Sequence, residues 1–436
     1  GIGVNAGIFT TVDGLLFRNL SAPAPHELMG VGHTVDGVQS RVGNGGPVGF
    51  TTAEYRSLSA QTTTLSGIYG QSDPTRTILG GDSPRAIIGT IVTCEYFDVL
   101  RQPPAMGRAL RAEDCERGAD PVVVLTHELW TTAFESDPAI VGRVIELNRQ
   151  LFTVVGVAQE GTHANFGIYR TQYFAPISSE PLLLPNENNL DNDNLGWLGV
   201  IGRRVASIEQ VRAELGVIAA RLDAEQPGRT TTMVAERATP LGRFFRDQFV
   251  VLAGVLMVPF AFVLLIACAN VANLLLARAT VRNREMAIRF SLGASRARVI
   301  RQLLTESVLI SIAGGVLGSV LAVWAFQTLT SVVIPALTIP GLPPFFVDAS
   351  PDFRVVAVMT AVMLGTGLLF GLAPAFQVSK PDLHAAIKQG AQGTASPRGS
   401  RLQGVLVGAQ VATTMVLMVA VGLLLRGLTA TQTTDP

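Results

Sequence analysis

The chain has 436 residues, 48% of them hydrophobic and only 15% charged, with 33 basic side chains balancing 33 acidic ones and a mean hydropathy of +0.38. That is too apolar for an ordinary soluble globule, and a neutral balance gives no basic footprint for nucleic acid. Lys380 and Lys388 are the only lysines, which excludes a phosphate-binding G-x-x-x-x-G-K-[ST] loop and therefore a P-loop ATPase within this chain.

Gly1 is not a methionine, and the opening lacks the basic start and small-residue cleavage site of a secretory signal; the sequence reads as a fragment of something longer. Residues 1–20 are expected to be the outer end of a truncated first transmembrane helix. The reason is an internal echo: Gly14-Leu15-Leu16-Phe17-Arg18-Asn19-Leu20 resembles Gly422-Leu423-Leu424-Leu425-Arg426-Gly427-Leu428. Arg18 would then snorkel to the interface. Chance agreement in leucine-rich text is the alternative.

Residues 21–248 are expected to form a water-soluble α+β domain with its own core. Arg85–Thr93, Pro121–Thr126, Arg143–Leu147, Leu151–Val157 and Leu198–Val205 are β-rich apolar runs, and Asn148-Arg149-Gln150 between two of them reads as a hairpin turn. Ser207-Ile208-Glu209-Gln210 is a capping box. It opens a predicted helix with Val211, Leu215, Ile218 and Leu222 on one face, closed by Pro227-Gly228.

Chemistry is sparse in this domain. His127-Glu128 begins like the zinc motif H-E-x-x-H, but Thr131 stands in place of the second histidine. Asn186–Asn194 is rich in Asn and Asp and could ligate Ca²⁺, yet it lacks the glycine and terminal glutamate of a calcium loop, which favours a solvated polar loop. Gly1-Ile2-Gly3 precedes no strand–helix unit for a dinucleotide, and no G-x-S-x-G elbow is present. The reading is a binding or force-transmitting domain rather than an enzyme, with no metal and no cofactor. Cys94 and Cys115 could pair if the domain lies outside the cytoplasm, or stay as free thiols; Cys268 sits in an apolar run as a small hydrophobe.

Crossing about 30 Å of hydrocarbon takes roughly 20 apolar residues. Phe249–Ala277, Leu303–Phe326, Val355–Phe376 and Val405–Leu425 meet that length, the first with Pro259 as a kink. This lays the remainder out as spans over 249–277, 303–327, 353–377 and 404–428. A cytoplasmic coupling segment (278–302), an extracytoplasmic loop (328–352) and a cytoplasmic linker (378–403) connect them. Orientation follows from the arginines. Arg278, Arg282, Arg284, Arg289, Arg296, Arg298 and Arg301 crowd the first connection, Lys380, Lys388, Arg398 and Arg401 the third, and Thr328–Asp352 has no basic residue. Residues 21–248 are therefore expected outside. Gly314/Gly318, Gly367/Gly371 and Gly404/Gly408 have the G-x-x-x-G spacing of close helix contacts, although glycine is frequent in membrane helices anyway. Asn270 and Asn273 share one face of the first span and are expected to hydrogen-bond across helices.

Val281–Gln302 reads as an arginine-rich amphipathic helix broken near Gly293, with Glu285 and Arg289 one turn apart. Two physical readings stay open: it lies on anionic lipid heads, or it docks in a groove of a cytoplasmic partner. Residues 264–307, LLIACANVANLLLARATVRNREMAIRFSLGASRARVIRQLLTES, resemble the core of the MacB/FtsX-like permeases of ABC transporters. TGLLFGLAPAFQ (366–377), with Lys380-Pro381-Asp382-Leu383 and Lys388-Gln389-Gly390, resembles the end of that family's fourth helix. EYFDVLRQPPAMGRAL (95–110), PVVVLTHELW (121–130) and DPAIVGRVIELNRQLFTVVGV (137–157) are similar to its periplasmic core domain.

The resemblance implies a fold class of an α-helical transmembrane bundle plus an α+β MacB-like periplasmic core domain, in the bacterial inner membrane. It implies that Arg284, Glu285, Ala287, Ile288, Arg289, Leu292, Gly293, Ala294 and Ser295 seat on a separate cytoplasmic ABC ATPase. The implied partners are that ATPase, the lipid bilayer, a periplasmic partner or substrate, and a second permease unit. The arrangement is similar to the acidobacterial-type duplicated orphan permeases, in which one chain carries both units and AQVATTMVLMVAVGLLLRGL (409–428) would begin the second. The rival from another class is an ATPase-independent receptor or scaffold whose outer domain binds a ligand.

Overall fold

The computed structural model describes residues 20, 22–37, 49–81, 84–162, 171–239 and 295–328, with scattered helical positions between 250 and 426. The chain divides into two compact units, Val12–Val250 with Thr330–Asp348, and Gly1–Thr11 with Val251–Leu329 and Ala349–Pro436. The expected outer end of a first span, residues 1–20, lies outside the described residues except Leu20.

The first unit is built on eleven strands: β1 (Leu28–Asp36), β2 (Leu65–Gln71), β3 (Thr75–Leu79), β4 (Arg85–Val92), β5 (Met106–Gly107), β6 (Val122–Leu125), β7 (Val144–Leu147), β8 (Gln150–Val157), β9 (Tyr173–Pro176), β10 (Gly199–Arg204) and β11 (Thr230–Arg237). Its longer helices are α1 (Thr52–Gln61), α2 (Tyr96–Leu100), α3 (His127–Ala133), α4 (Glu180–Leu183) and α5 (Ile208–Glu225).

One half runs β1-α1-β2, is interrupted by residues 72–198, and resumes β10-α5-β11. Its strands stand in the order β11-β1-β10-β2, every neighbour antiparallel. This is a β-α-β-β-α-β ferredoxin-like unit with a long insertion between its second and third strands. The insertion supplies a ring: β4 pairs β3, β3 pairs β7, β7 pairs β8, β8 pairs β6, β6 pairs β9, and β9 returns to β4. The β3–β7 step is a single pair, Leu79↔Leu147, so the ring closes at one corner there rather than along a full ladder. A single register pair, Gln71↔Val92, joins the ladder of one half to the other.

Alternation along the strands explains why the sheet carries two cores. Met29, Ile68 and Val200 enter one cluster with Leu58 of α1 and Val211, Leu215 and Ile218 of α5. Their neighbours Leu28, Tyr69 and Ile201 enter another with Tyr96, Phe97 and Phe174. Tyr69, Tyr96, Phe97 and Phe174 meet mostly edge to face, with centroids 4.9–5.5 Å apart, the geometry that aromatic quadrupoles favour.

Local signals act where expected. Ser207 Oγ accepts from the Gln210 N–H at 3.3 Å and Gln210 Oε1 from the Ser207 N–H at 3.0 Å, closing the capping box of α5. The hairpin turn is Asn148-Arg149 alone, with φ of 50° and 65°; Gln150 already pairs with Leu147 in the ladder. A two-residue turn with both φ positive matches the right-handed twist of the flanking strands. Asn148 tolerates that conformation, and its Oδ1 accepts from the Ile78 N–H at 2.9 Å.

In the second unit, α6 (Arg296–Thr328) is the long helix, and within it Ile300–Ala325 is long and apolar enough to cross a membrane, the one such helix among the described residues. Its 26 residues span about 39 Å at 1.5 Å per residue. Polar side chains bond back into the helix: Thr305 to the Arg301 carbonyl at 2.8 Å, Ser319 to Gly315 at 2.7 Å, Thr328 to Trp324 at 2.9 Å. Such bonds satisfy these three hydroxyls in an apolar surrounding. At the Gly314/Gly318 spacing the packed glycine is a neighbour of the pair. Gly314 faces open space, whereas the buried Gly315 lies against the Met363 side chain. Gly404 and Gly408 likewise face open space, and Gly367 and Gly371 lie outside the described residues. Asn270 is an exposed helical residue, and Asn273 lies outside the described residues.

Candidate functional site

Of the expected coupling residues, Arg284, Glu285, Ala287, Ile288, Arg289, Leu292, Gly293 and Ala294 lie outside the described residues. Ser295 is described. It is exposed, immediately precedes α6, and its carbonyl accepts from the Arg298 N–H at 3.1 Å. The last residues assigned to the coupling segment, Arg296–Gln302, thus continue without a break into the apolar span as one helix.

The first unit has a second place where function can be read: the joint at which its chain ends meet. β1 and β11 are antiparallel over eight paired positions, from Met29↔Arg237 to Asp36↔Thr230. The end of β11 therefore lies beside the start of β1, and the Ala238 N–H donates to the Leu28 carbonyl at 3.1 Å. The segments entering at residue 28 and leaving at 238 therefore attach to adjacent strands.

Arg203 on β10 holds the entering side of that joint, tying the residues just before β1 to α2. It is 2% exposed, and each guanidinium nitrogen donates: Nε to the Val99 carbonyl at 2.7 Å, Nη1 to Glu27 Oε2 at 2.8 Å, and Nη2 to the Pro23 carbonyl at 3.1 Å. Longer bonds of 3.4 Å reach the carbonyls of Ala24 and Leu100. A planar fork of donors suits converging carbonyls that no single-point cation could satisfy together. The Arg203 hydrogen bond holds the Glu27 carboxyl below its ordinary range, with Arg101, 3.4 Å away, assisting.

Three further polar clusters brace the unit. Glu54, 5% exposed on α1, accepts Arg229 Nη2 at 2.5 Å on one oxygen and the Thr51 N–H at 2.9 Å on the other, while His33 Nε2 lies 3.5 Å away. One buried carboxylate thus caps α1 and pairs with the turn after α5. Glu214 on α5 gathers Thr62, Thr63 and Thr64, accepting the Thr63 and Thr64 N–H groups at 2.8 and 3.0 Å. Burial alone would raise its pKa, but the threonine donors bring it down to about 2. Arg108 grips Asp114 in a two-pronged pair at 2.6 and 2.9 Å beside a disulfide joining Cys94 to Cys115. Burial opposes ionisation of Asp114, and the Arg108 bond together with the Arg111 N–H overcomes it, so its carboxyl sits below the usual range.

The 186–194 loop is less loosely solvated than its composition suggests. Arg117 pairs with Asp191, and the buried Asn189 donates its N–H to Glu180 Oε1 at 2.9 Å. Burial pushes the Glu180 carboxyl up, and repulsion from Glu187 and Asp191 adds to it. His127 packs edge-on against Trp130. Among the described residues, no three His, Cys, Asp or Glu side chains gather as metal ligands.

The residues that sequence reasoning passed over, Glu27, Glu54, Arg203, Glu214 and Arg229, carry no motif. Thr51-x-x-Glu54 was the single signal available, as a capping box.

Residues 1–218, half of the chain, match the family model described as the MacB-like periplasmic core domain, and residues 257–383 match that of the FtsX-like permease C-terminal. The chain belongs to the MacB/FtsX-like family of ABC transporter permeases. Among its relatives are the macrolide export ATP-binding/permease protein MacB of Hahella chejuensis (26% identical; 66% of this chain, 41% of the relative) and the pyoverdine export ATP-binding/permease protein PvdT of Pseudomonas syringae pv. tomato (26%; 67% and 41%). The uncharacterized ABC transporter permease YvrN of Bacillus subtilis is 28% identical over 66% of each chain. This permease thus spans about two-fifths of the length of the export proteins it matches. Membership makes it a membrane permease component carrying an extracytoplasmic α+β core domain.

Proposed function

We propose that this permease works by mechanotransmission. A separate cytoplasmic ABC ATPase pushes on Arg284, Glu285, Ala287, Ile288, Arg289, Leu292, Gly293, Ala294 and Ser295. The 249–277 span carries that push outward, and the periplasmic core domain changes shape around a substrate or partner to be exported or extracted. Nothing need pass between the helices. The proposed layout has four spans, 249–277, 303–327, 353–377 and 404–428, with a further helix before residue 20. The last span begins a second permease unit in the manner of the duplicated orphan subgroup.

The observation that carries this reading is the pairing of β1 with β11, extended by the Ala238–Leu28 hydrogen bond, with Arg203 holding the segment that enters β1. Two neighbouring strands that receive the segments on either side of the domain convert a relative displacement of those segments into shear within one sheet. A stiff element with contacts at both ends is the physical requirement for such coupling. The unbroken run from Arg296 into the 300–325 span supplies the same stiffness at the other end of the coupling segment.

The test is whether the full-length protein co-purifies with, or stimulates, an ABC ATPase from its native membrane. Changing Arg284, Glu285 and Arg289 together to alanine should abolish that association while leaving the outer domain folded. Unaltered association would refute the docking role. An intact complex with no nucleotide-binding subunit would favour the receptor or scaffold reading.

A further inference from the structure

We infer that Glu180, Glu187, Asn189 and Ser179 form a binding site for a divalent cation of the calcium class, at the base of the loop leading into β10. Glu180 is 1% exposed and Asn189 2%. The Asn189 N–H donates to Glu180 Oε1 at 2.9 Å, and Asn189 Nδ2 donates to Glu187 Oε2 at 2.6 Å, so Asn189 holds one carboxylate through its backbone and the other through its carboxamide. Its oxygen, Oδ1, borne on the same carbon as Nδ2, is buried without a hydrogen-bond partner. Ser179 Oγ, adjacent in the chain to Glu180 and on a residue 2% exposed, is in the same condition.

Buried acceptors without a donor are rare, and they call for a water or an ion. What distinguishes this place is charge. One orphan oxygen is on the residue that bonds both carboxylates and the other on the chain neighbour of Glu180, whose carboxyl Glu187 and Asp191 both push up. One water offers two protons, whereas a dication answers every oxygen at once and removes the repulsion. The donors are carboxylate, amide and hydroxyl oxygens, with no imidazole or thiolate, which selects a hard cation. Magnesium demands a near-ideal octahedron and keeps its waters; calcium accepts irregular sets that include amide oxygens. With two carboxylates, the site belongs in the weak range of extracellular calcium modules, with a Kd of about 10⁻⁴–10⁻³ M.

The position gives the ion a task independent of ATPase coupling. Thr52 of α1 donates to the Asn189 carbonyl at 3.4 Å and accepts from Trp197 Nε1 at 3.2 Å. The loop thus ties α4 of the insertion to α1 and β10 of the ferredoxin-like half. A bound cation would rigidify that tie.

Trp197 also supplies the assay, because a nearby indole sensitises the emission of Tb³⁺, a calcium surrogate. Chelator-treated full chain in a neutral detergent is titrated with Tb³⁺ under tryptophan excitation. We expect saturable emission, reversed by Ca²⁺ at about 0.1–1 mM and not by equal Mg²⁺. Glu180→Gln and the exposed Glu187→Gln should each weaken Ca²⁺ competition by at least about tenfold. Trp197→Phe should abolish the emission while Ca²⁺ still raises the thermal midpoint. Emission that never saturates, or that survives Trp197→Phe and Glu187→Gln unchanged, would overturn the assignment and leave the orphan oxygens to water. Glu187→Gln carries the test if Glu180→Gln fails to fold.

Discussion

Replacing Arg203 with methionine isolates the contribution of the clamp between the segment entering β1 and α2. Methionine keeps most of the apolar stem and removes every donor, so packing changes little and hydrogen bonding changes completely. Three short bonds, at 2.7, 2.8 and 3.1 Å, and two at 3.4 Å disappear. Glu27 is 31% exposed and can return to water. The Val99 and Leu100 carbonyls, on residues 6% and 3% exposed, cannot do so without opening the fold. Stranding a buried acceptor costs about 1–3 kcal/mol, and breaking a buried ion pair about 3–5 kcal/mol. With Glu27 rehydrated, the two stranded carbonyls dominate, and we expect a loss of about 3–5 kcal/mol, a large part of the 5–15 kcal/mol typical of a domain. Urea denaturation of residues 20–239 measures the total, and hydrogen exchange on the full chain locates it. Exchange should accelerate first at residues 22–28 and 96–102, while α5 stays protected. A loss under about 1 kcal/mol, or uniform acceleration, would refute the claim that Arg203 clamps the start of β1 to α2.

Other perturbations have equally definite outcomes. Glu214→Gln removes a carboxylate whose pKa is about 2 in the fold against 4.5 unpaired. Its contribution is complete above about pH 4.5 and is lost as pH falls toward 2, so the variant should lose about 1.5–3 kcal/mol at neutral pH and show a flatter acid denaturation curve. Replacing Cys94 and Cys115 together with serine, or adding reductant, should cost about 3 kcal/mol for a loop of 21 residues, read as a lower urea midpoint. Gly89→Ala would drive a methyl into the Tyr173 ring, its registered partner across β4 and β9, and should cost about 1–3 kcal/mol in the same measurement.

Much of the scaffold was legible wherever the determining interactions were local. Runs of valine and isoleucine placed β4, β6, β7, β8 and β10 to within a residue or two. The Ser207 capping box and the spacing of Val211, Leu215, Ile218 and Leu222 placed the buried face of α5. β1 and β11 escaped for a physical reason. Gly30 and Gly32 make β1 look like a breaker, and Thr230-Thr231-Thr232 makes β11 look polar, yet each is held by eight ladder pairs with the other. β9, four residues ending in Pro176, is too short to signal itself.

What the sequence by itself determined is the class of molecule: apolar length, arginine placement and the segment around Arg284–Ser295 all act through neighbours close in the chain. Only the tertiary structure decided the split ferredoxin-like order, the closed ring, the Cys94–Cys115 bond, and the meeting of Glu54 with Arg229 or Arg203 with Glu27. Those partners are 175 and 176 residues apart, and no periodicity reaches that far. They are brought together because β10 and β11 return beside β1 and β2 to complete one antiparallel sheet, and the insertion only lengthens the chain between them. Burying a charge there is tolerable only once its distant partner has arrived.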